Sequence, residues 1–300
     1  MNIEDFKPLN GECRSLLKRL LPADPESCER SWVNLLLYCD SYSWRWFFDG
    51  KYLWIASFEE AYSFFPPSEN CPPEVVKNFL SGFARLCGDP AAVCGDLPWN
   101  YRELFPQASD YLVFKDDPGD YDYIYNLHHQ QSFSGSKLRK RHNQVRQFDR
   151  EYDGIYTAGA VALSDLPEIM QLSARLSGAY WNDASGAEER LALARLAEHW
   201  LDDSLELDGV VLKVNGQLAG FSIFSCLNSL LVDIHFEKAD RNFCGCGAKL
   251  TSVLVEYLLS KGYSFMNREQ DLNLEGLRRA KQALDPDRLY RRVSAFLPGN

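Results

Sequence analysis

Residues 230 to 248 read Leu230-Leu-Val-Asp-Ile-His-Phe-Glu-Lys-Ala-Asp-Arg-Asn-Phe-Cys-Gly-Cys-Gly-Ala248 and run straight into an apolar-periodic segment, Ala248 to Ser260, followed by Gly262. The first part has the β-branched and aromatic residues of a strand, the middle has turn formers, and the end has the 3.6-residue repeat of a helix. A glycine just past the last turn is the usual helix stop. Tyr263 to Asn267 follows as a short second strand. A strand that returns through a helix lies parallel to the one before it, so the stretch predicts a right-handed crossover. The two strand ends, His235 to Asp240 and Asn267 to Asp271, then reach one edge of the sheet, where open α/β sheets hold their ligands.

Upstream, Val210 to Val214 and Gln217 to Phe224 flank Asn215-Gly216, a strong hairpin signal. The same elements occur once before. Trp44 to Phe48 and Lys51 to Ile55 flank Asp49-Gly50, an amphipathic helix from Pro73 to Leu86 stops at Gly88, and a short strand, Ala91 to Cys94, follows. Four elements repeated in one order, roughly 170 residues apart, imply an internal duplication. Helices are expected near Ser164 to Ser177 and Glu188 to Trp200, and a last strand over Leu289 to Phe296. The expected fold class is α/β, of mixed α+β type, with two tandem domains, each a mixed, mostly antiparallel sheet flanked by helices. Ser132 to Ser136 reads as a linker, which sets the domains at 1–134 and 135–300, the candidate active site lying in the second.

Composition narrows the function classes. Three hundred residues with 46% hydrophobic and 25% charged content describe a globular chain rather than a disordered one. A net charge of −10 excludes a surface that is basic throughout, while leaving room for a local basic patch. The most apolar stretch, Leu218 to Ile234, is interrupted by Ser222, Ser225, Asn228, Ser229 and Asp233 and falls short of a membrane span. The acidic N-terminus lacks the basic and apolar regions of a secretory signal, so the expected compartment is the cytoplasm. Nine cysteines include no C-x-x-C pair, so they read as reduced thiols, and no metal site is expected.

Three constellations could carry chemistry. Gly245, Gly247 and Ala248 open the helix after the long strand, where N–H groups and the positive end of the helix dipole would receive an anion. Strand alternation puts His235 and Glu237 on one face and Phe236 and Lys238 on the other, which makes His235 and Glu237 candidate acid–base partners. A salt-bridged strand end is the competing reading. Lys238 and Arg268 would hold charge on donor or acceptor, and Asn267, Glu269 and Asp271 complete the second strand end. The run from Lys137 to Arg150 carries six bases and one acid. Leu138, Val145, Phe148 and Tyr152 share one helical face of it, and Lys137, Arg139, Lys140 and Arg141 are the candidate polyanion-binding residues, with Arg146 and Arg150 beyond them.

Five blocks, Tyr121-Asp-Tyr-Ile-Tyr125, Gly135-Ser-Lys-Leu-Arg-Lys-Arg-His-Asn143 with Phe148, His235-Phe-Glu-Lys-Ala-Asp240, Asn267-Arg-Glu-Gln-Asp-Leu272 and Glu275-Gly-Leu-Arg-Arg-Ala-Lys281, resemble in order those of the DUF2156 family. That family is similar to the C-terminal domain of phosphatidylglycerol lysyltransferases, and the resemblance spans about residues 30 to 297. It implies a tandem pair of GNAT-like (GCN5-related N-acetyltransferase) domains and a soluble acyltransferase or aminoacyltransferase. No tightly bound cofactor is implied. The donor would be aminoacyl-tRNA or acyl-CoA, and the acceptor an amine or hydroxyl on a small molecule or lipid headgroup, with tRNA as a partner. Acyl-CoA enzymes of the wider superfamily have Q/R-x-x-G-x-G/A before the helix. Asn242-Phe-Cys-Gly245-Cys-Gly247 resembles it with Asn242 in the Gln/Arg place, which makes Asn242, Gly245, Gly247 and Ala248 the candidate cofactor contacts. Lysyltransferase relatives pair an acid with a base on the matching strand, where this chain has His235 and Lys238. A different class of function, a non-catalytic module that binds a metabolite or peptide in the same fold, fits the same residues.

Overall fold

Two hairpins that look alike in sequence close in different ways. Val214 pairs with Gln217 across Asn215-Gly216, whose φ values of 50° and 75° are the left-handed pair that a type I′ turn requires. In the earlier hairpin Phe48 pairs with Leu53, so Asp49 and Gly50 sit in a longer loop. There Asp49 Oδ1 accepts from the N–H groups of Lys51 and Tyr52 at 2.9 and 2.7 Å. The structure, a computed structural model, describes residues 2–21, 25–59, 62–66, 68, 70–180 and 184–299.

In chain order the first elements are β1 (Lys7–Pro8), α1 (Gly11–Leu20), α2 (Trp32–Leu37), β2 (Arg45–Phe48), β3 (Leu53–Ser57), β4 (Ser63–Phe65), α3 (Pro73–Cys87), β5 (Val93–Pro98), α4 (Tyr101–Leu104) and β6 (Val113–Asp116). Then come β7 (Asp122–Asn126), α5 (Leu127–Ser132), α6 (Arg139–Glu151), β8 (Tyr156–Ala160), α7 (Leu166–Tyr180), α8 (Ala184–Glu198), β9 (Asp208–Val214) and β10 (Gln217–Asn228). The chain ends with β11 (Leu231–Ala239), α9 (Cys246–Ser260), β12 (Phe265–Asn267), α10 (Glu275–Gln282), β13 (Arg288–Tyr290) and β14 (Arg292–Phe296).

These elements build two seven-stranded mixed sheets, ordered β1-β2-β3-β4-β5-β14-β6 and β8-β9-β10-β11-β12-β7-β13. In each, one helix joins two strands that pair in parallel. Ser63 and Phe64 lie against Val93 and Cys94 across α3, and Leu231, Val232 and Asp233 lie against Phe265, Met266 and Asn267 across α9. The duplication is therefore one of topology, with an exchange in the sixth place. There β14, from the end of the second copy, completes the first sheet, and β7, which follows the first copy in sequence, completes the second. The compact units are accordingly Met1–Tyr121 with Tyr290–Asn300, and Asp122–Leu289. The boundary expected between 134 and 135 lies instead at Tyr121/Asp122, because the strand before the linker belongs to the second sheet. The single strand expected over Leu289 to Phe296 is two, β13 and β14, which part at the exposed Arg291 and join different sheets.

The first unit is held by an aromatic core. Along α3, Val76, Phe79, Leu80 and Phe83 recur at helical spacing and are all buried. Phe79 stacks on Trp54 of β3 with centroids 3.9 Å apart and planes 9° apart, and Phe64 meets Phe79 edge-on. The exchanged strand is pinned by charge. Asp96 of β5 takes Arg30 Nε at 2.7 Å, Arg292 Nη1 of β14 at 3.1 Å and Ser27 Oγ at 2.8 Å, all buried. A carboxylate between two buried guanidiniums cannot be removed without leaving charge uncompensated. Asp96→Ala should therefore lower the stability of the full chain by about 3–5 kcal/mol in urea unfolding followed by tryptophan fluorescence. A loss below about 1 kcal/mol would mean that packing, and not this network, holds β14.

Candidate active site

The geometry of the site starts from one extra residue. β10 and β11 pair Ile223 with Phe236 and Phe224 with Ile234, so His235 has no opposite number and β11 bulges there. Residues paired across antiparallel strands share a face. Val232 and Ile234 belong to the core beneath α9. Past the bulge, Glu237 lies opposite Ser222, itself opposite Val210 of that same core, so Glu237 also points to the α9 side. Phe236 and Lys238 lie opposite Ile223 and Phe221, on the other side. There Lys238 Nζ meets Glu189 Oε2 of α8 at 2.8 Å. His235 also turns that way, and its Nε2 is 2.7 Å from Ser225 Oγ, on the residue paired with Asp233. The expected partnership of His235 with Glu237 does not form, because the bulge puts the two on opposite faces.

On the α9 side, Glu237 Oε1 accepts from Arg268 Nη2 at 2.6 Å, and both side chains are only 15% exposed. The guanidinium lies 6.0 Å from the centroid of the Tyr125 ring, on the neighbouring β7. Burial works against the charge on Arg268, but Glu237 and Tyr125 outweigh it and raise its pKa. The second oxygen, Glu237 Oε2, and the second terminal nitrogen, Arg268 Nη1, are buried with no hydrogen-bond partner among the described residues. A buried acceptor and a buried donor left unsatisfied in one ion pair carry a desolvation cost that a polar ligand would relieve.

On the other side the groups are more deeply covered. His235 is buried, and burial pushes its pKa down to about 3, so the imidazole is neutral. Its Nδ1 lies 3.8 Å from Asp233 Oδ2. Asn267 is buried beside Asp233, donates to Asp122 Oδ2 at 2.9 Å, and through Oδ1 accepts the Glu269 N–H at 2.7 Å. That last bond holds Glu269 in a left-handed conformation, φ 57°. Asp271, held by Tyr123 of the core beneath α9, is buried and committed. Both of its oxygens accept from Arg278, and it also takes Tyr123 OH at 2.7 Å and the Asn273 N–H at 2.8 Å. Burial would raise its pKa, but these hydrogen bonds dominate and hold it below the ordinary range.

The glycine loop is packed against α6. A Cβ at Gly245, where φ is 77°, would meet the Gln144 carbonyl oxygen at 2.4 Å and Phe148 Cβ at 3.2 Å. Around it, Tyr152 OH accepts the Cys244 N–H at 3.1 Å, and Lys249 meets Asp149 at 2.8 Å. The first need for Gly245 is thus close approach of a helix backbone. Gly247 lies within the first turn of α9, Ala248 is buried beside it, and Asn242 is exposed. Of the basic run, Arg139 and Lys140 are exposed, as are Arg146 and Arg150, while Lys137 pairs with Asp285 at 2.7 Å. Arg141 differs. It turns inward to donate to Thr251 Oγ1 at 2.9 Å and to the Gly247 carbonyl at 3.3 Å. Burial first, and Arg268 second, lower its pKa, so it lies within the field of the Glu237–Arg268 pair. The signal was in the spacing, since Arg141 follows Leu138 by three residues and precedes Val145 by four, on the apolar face. Ser225 and Asp233 were visible only as polar breaks in an apolar strand.

Two sheets, each with a helical crossover between parallel strands, define the class as tandem GNAT-like. The chain belongs to the phosphatidylglycerol lysyltransferase C-terminal family, which matches residues 22–296. Among solved structures it is similar to a conserved protein of unknown function from Bacteroides thetaiotaomicron VPI-5482, at 23% identity and a TM-score of 0.84, over 97% of this chain and 99% of that one. It is also similar to L-PGS from Bacillus licheniformis, at 16% identity and a TM-score of 0.65, over 98% and 93% of the two chains. A tandem GNAT protein from the clavulanic acid biosynthesis pathway aligns over 99% of both chains, at 12% identity and a TM-score of 0.52. At these identities the likeness is one of fold. No curated protein matches the sequence. Among the described residues no helix is long and apolar enough to cross a membrane.

The packing at the loop gives a direct check. Gly245→Ala should lower stability by about 1–3 kcal/mol for the left-handed backbone alone, more if α6 cannot withdraw. Thermal unfolding that leaves the variant within about 0.5 kcal/mol of the parent would show that α6 does not press on the loop.

Proposed function

We propose that the chain is an aminoacyl or acyl transferase whose reacting groups meet at the Glu237–Arg268 pair. The observation that carries this reading is the unsatisfied pair of atoms, Glu237 Oε2 and Arg268 Nη1, beside the ends of two parallel strands in a family of aminoacyl transfer. An acceptor amine or hydroxyl would attack the donor's carbonyl carbon, form the new bond, and expel the donor's carrier oxygen or sulfur. Glu237 Oε2 would take the acceptor's proton and return it to the leaving group. Arg268 Nη1 would donate to the carbonyl oxygen as charge grows there, with Arg141 adding positive field from α6. His235 has its Nε2 at Ser225 Oγ on the opposite face of the sheet, so Glu237 is the group placed beside Arg268 to act as base.

Two features favour aminoacyl-tRNA as donor over acyl-CoA. The close approach that Gly245 allows is already used by Gln144 of α6, and Arg139, Lys140, Arg146 and Arg150 present a basic exposed face for RNA phosphates. A reaction that draws on charged tRNA belongs in the cytoplasm. The acceptor class remains an amine or hydroxyl, free or on a lipid headgroup.

The test is a deacylation assay with charged tRNAs and a panel of amine, hydroxyl and lipid-headgroup acceptors. Acceptor-dependent loss of the aminoacyl group is expected, falling about 10²–10⁴-fold in Glu237→Gln when assayed at a temperature where circular dichroism shows the variant folded. Binding of tRNA should weaken steeply with salt, less steeply after Arg139→Gln and Lys140→Gln. Tight retention of a metabolite or peptide with no transfer from any donor would overturn this reading in favour of the binding module.

A further inference from the structure

The face of the second sheet away from α9 carries a cluster that the transferase reading does not use. Asp233, His235 and Glu269 each offer one ligand atom, and these atoms lie within 4.8 Å of one another. We propose that these three residues bind one divalent first-row transition-metal ion, which cross-links the bulge of β11 to the turn after β12.

Each ligand is held from behind. Asp233 is fixed by the β-ladder, paired with Ser225 on one side and Asn267 on the other. Glu269 is turned back towards the strands by its left-handed backbone, which the Asn267 side chain caps and Lys281 Nζ steadies through the Arg268 and Glu269 carbonyls. His235 has two different nitrogens. Nε2 is 2.7 Å from Ser225 Oγ, and Nδ1 is 3.8 Å from Asp233 Oδ2. With an ion bound, Nε2–H would donate to the serine and the Nδ1 lone pair would be the ligand. Metal-ligating histidines are typically oriented in this way, by a hydrogen bond at the nitrogen that does not bind the ion. Three atoms at the 4.8 Å limit lie about 2.8 Å from a common centre, so metal–ligand bonds of about 2.0–2.2 Å need each to move inward by about 0.8 Å at most.

Charge and donor chemistry agree with the geometry. Asp233 is fully buried, and a dication favours the charged form of a buried carboxylate. Two carboxylates and a neutral imidazole neutralise a 2+ ion. One imidazole with two carboxylates suits Mn²⁺, Fe²⁺, Co²⁺ or Zn²⁺ better than Mg²⁺ or Ca²⁺, which prefer all-oxygen sets. Sequence spacing could not show this set. Asp233 and His235 are two residues apart on one strand, and Glu269 reaches them only through the parallel crossover.

The experiment uses the full chain after chelator treatment. Mn²⁺ is titrated with loss of its free-ion EPR signal as readout, and Co²⁺ with its visible spectrum, which separates nitrogen–oxygen ligation from thiolate. One ion per chain, nitrogen–oxygen bands and a raised melting temperature are expected. Glu269→Ala should weaken binding at least tenfold, and Ser225→Ala, which touches only the orienting hydrogen bond, by about 10–100-fold. His235→Asn should behave like Glu269→Ala; if it fails to fold, the other two variants decide. Absence of saturable binding would overturn the proposal. So would affinity unchanged in both Glu269→Ala and Ser225→Ala, or Co²⁺ thiolate bands that vanish in Cys244→Ser. These readouts are binding and stability, so they stand or fall independently of transferase activity.

Discussion

The arrangement of polar groups in the second sheet depends on one inserted residue. Without the bulge at His235, strict alternation along β11 would put His235 and Glu237 on one face and Phe236 and Lys238 on the other. With it, alternation is reset partway along the strand. The apolar side of β11 beneath α9 ends in a carboxylate, and the opposite side gathers Asp233, His235 and Phe236 in succession. Glu237 can then reach Arg268, and His235 can reach Ser225. A bulge disrupts the local ladder, and such features are found where a side chain must be re-aimed.

The parallel partner strand makes this reset useful. Because β12 aligns Asn267 with Asp233, the next two residues fall on alternate faces just past the last paired position. Arg268 faces Glu237 on the α9 side, and Glu269 faces Asp233 and His235 on the other. The same short segment therefore supplies a cation to one cluster and a carboxylate to the second. α6 then closes over the α9 side, with Leu138, Val145 and Phe148 buried and Arg141 added to the polar cluster. Its basic outer residues remain in solvent, where long charged side chains are cheaply hydrated. One helix thus joins an apolar seal to an electropositive exterior.

Much of the fold was legible because local chemistry decides it. Asn215-Gly216 specifies its turn through two left-handed residues, Gly88 and Gly262 mark where helices stop, and the strand–helix–strand order forces a parallel pair. The repeat of that order exposed the tandem architecture. The exchange of β7 and β14 was hidden, since strand pairing between distant segments leaves no local mark, and a boundary drawn at a serine-rich linker falls on the wrong side of β7. The parallel pairing of β11 and β12 follows from the strand–helix–strand order, but which side chains meet at their ends does not. A bulge is set by the register of two strands at once, and His235 alone does not announce it. Gly245 shows the opposite limit. Its sequence context fits an anion, while its Cα faces a carbonyl of α6.

The central claim, that the bulge separates His235 from Glu237 and joins Glu237 to Arg268, is tested most directly by paired double-mutant cycles on folding free energy. Glu237→Gln with Arg268→Met should show a coupling above about 1 kcal/mol, while His235→Asn with Glu237→Gln should be additive within about 0.5 kcal/mol. Strong coupling between 235 and 237 with none between 237 and 268 would contradict the account.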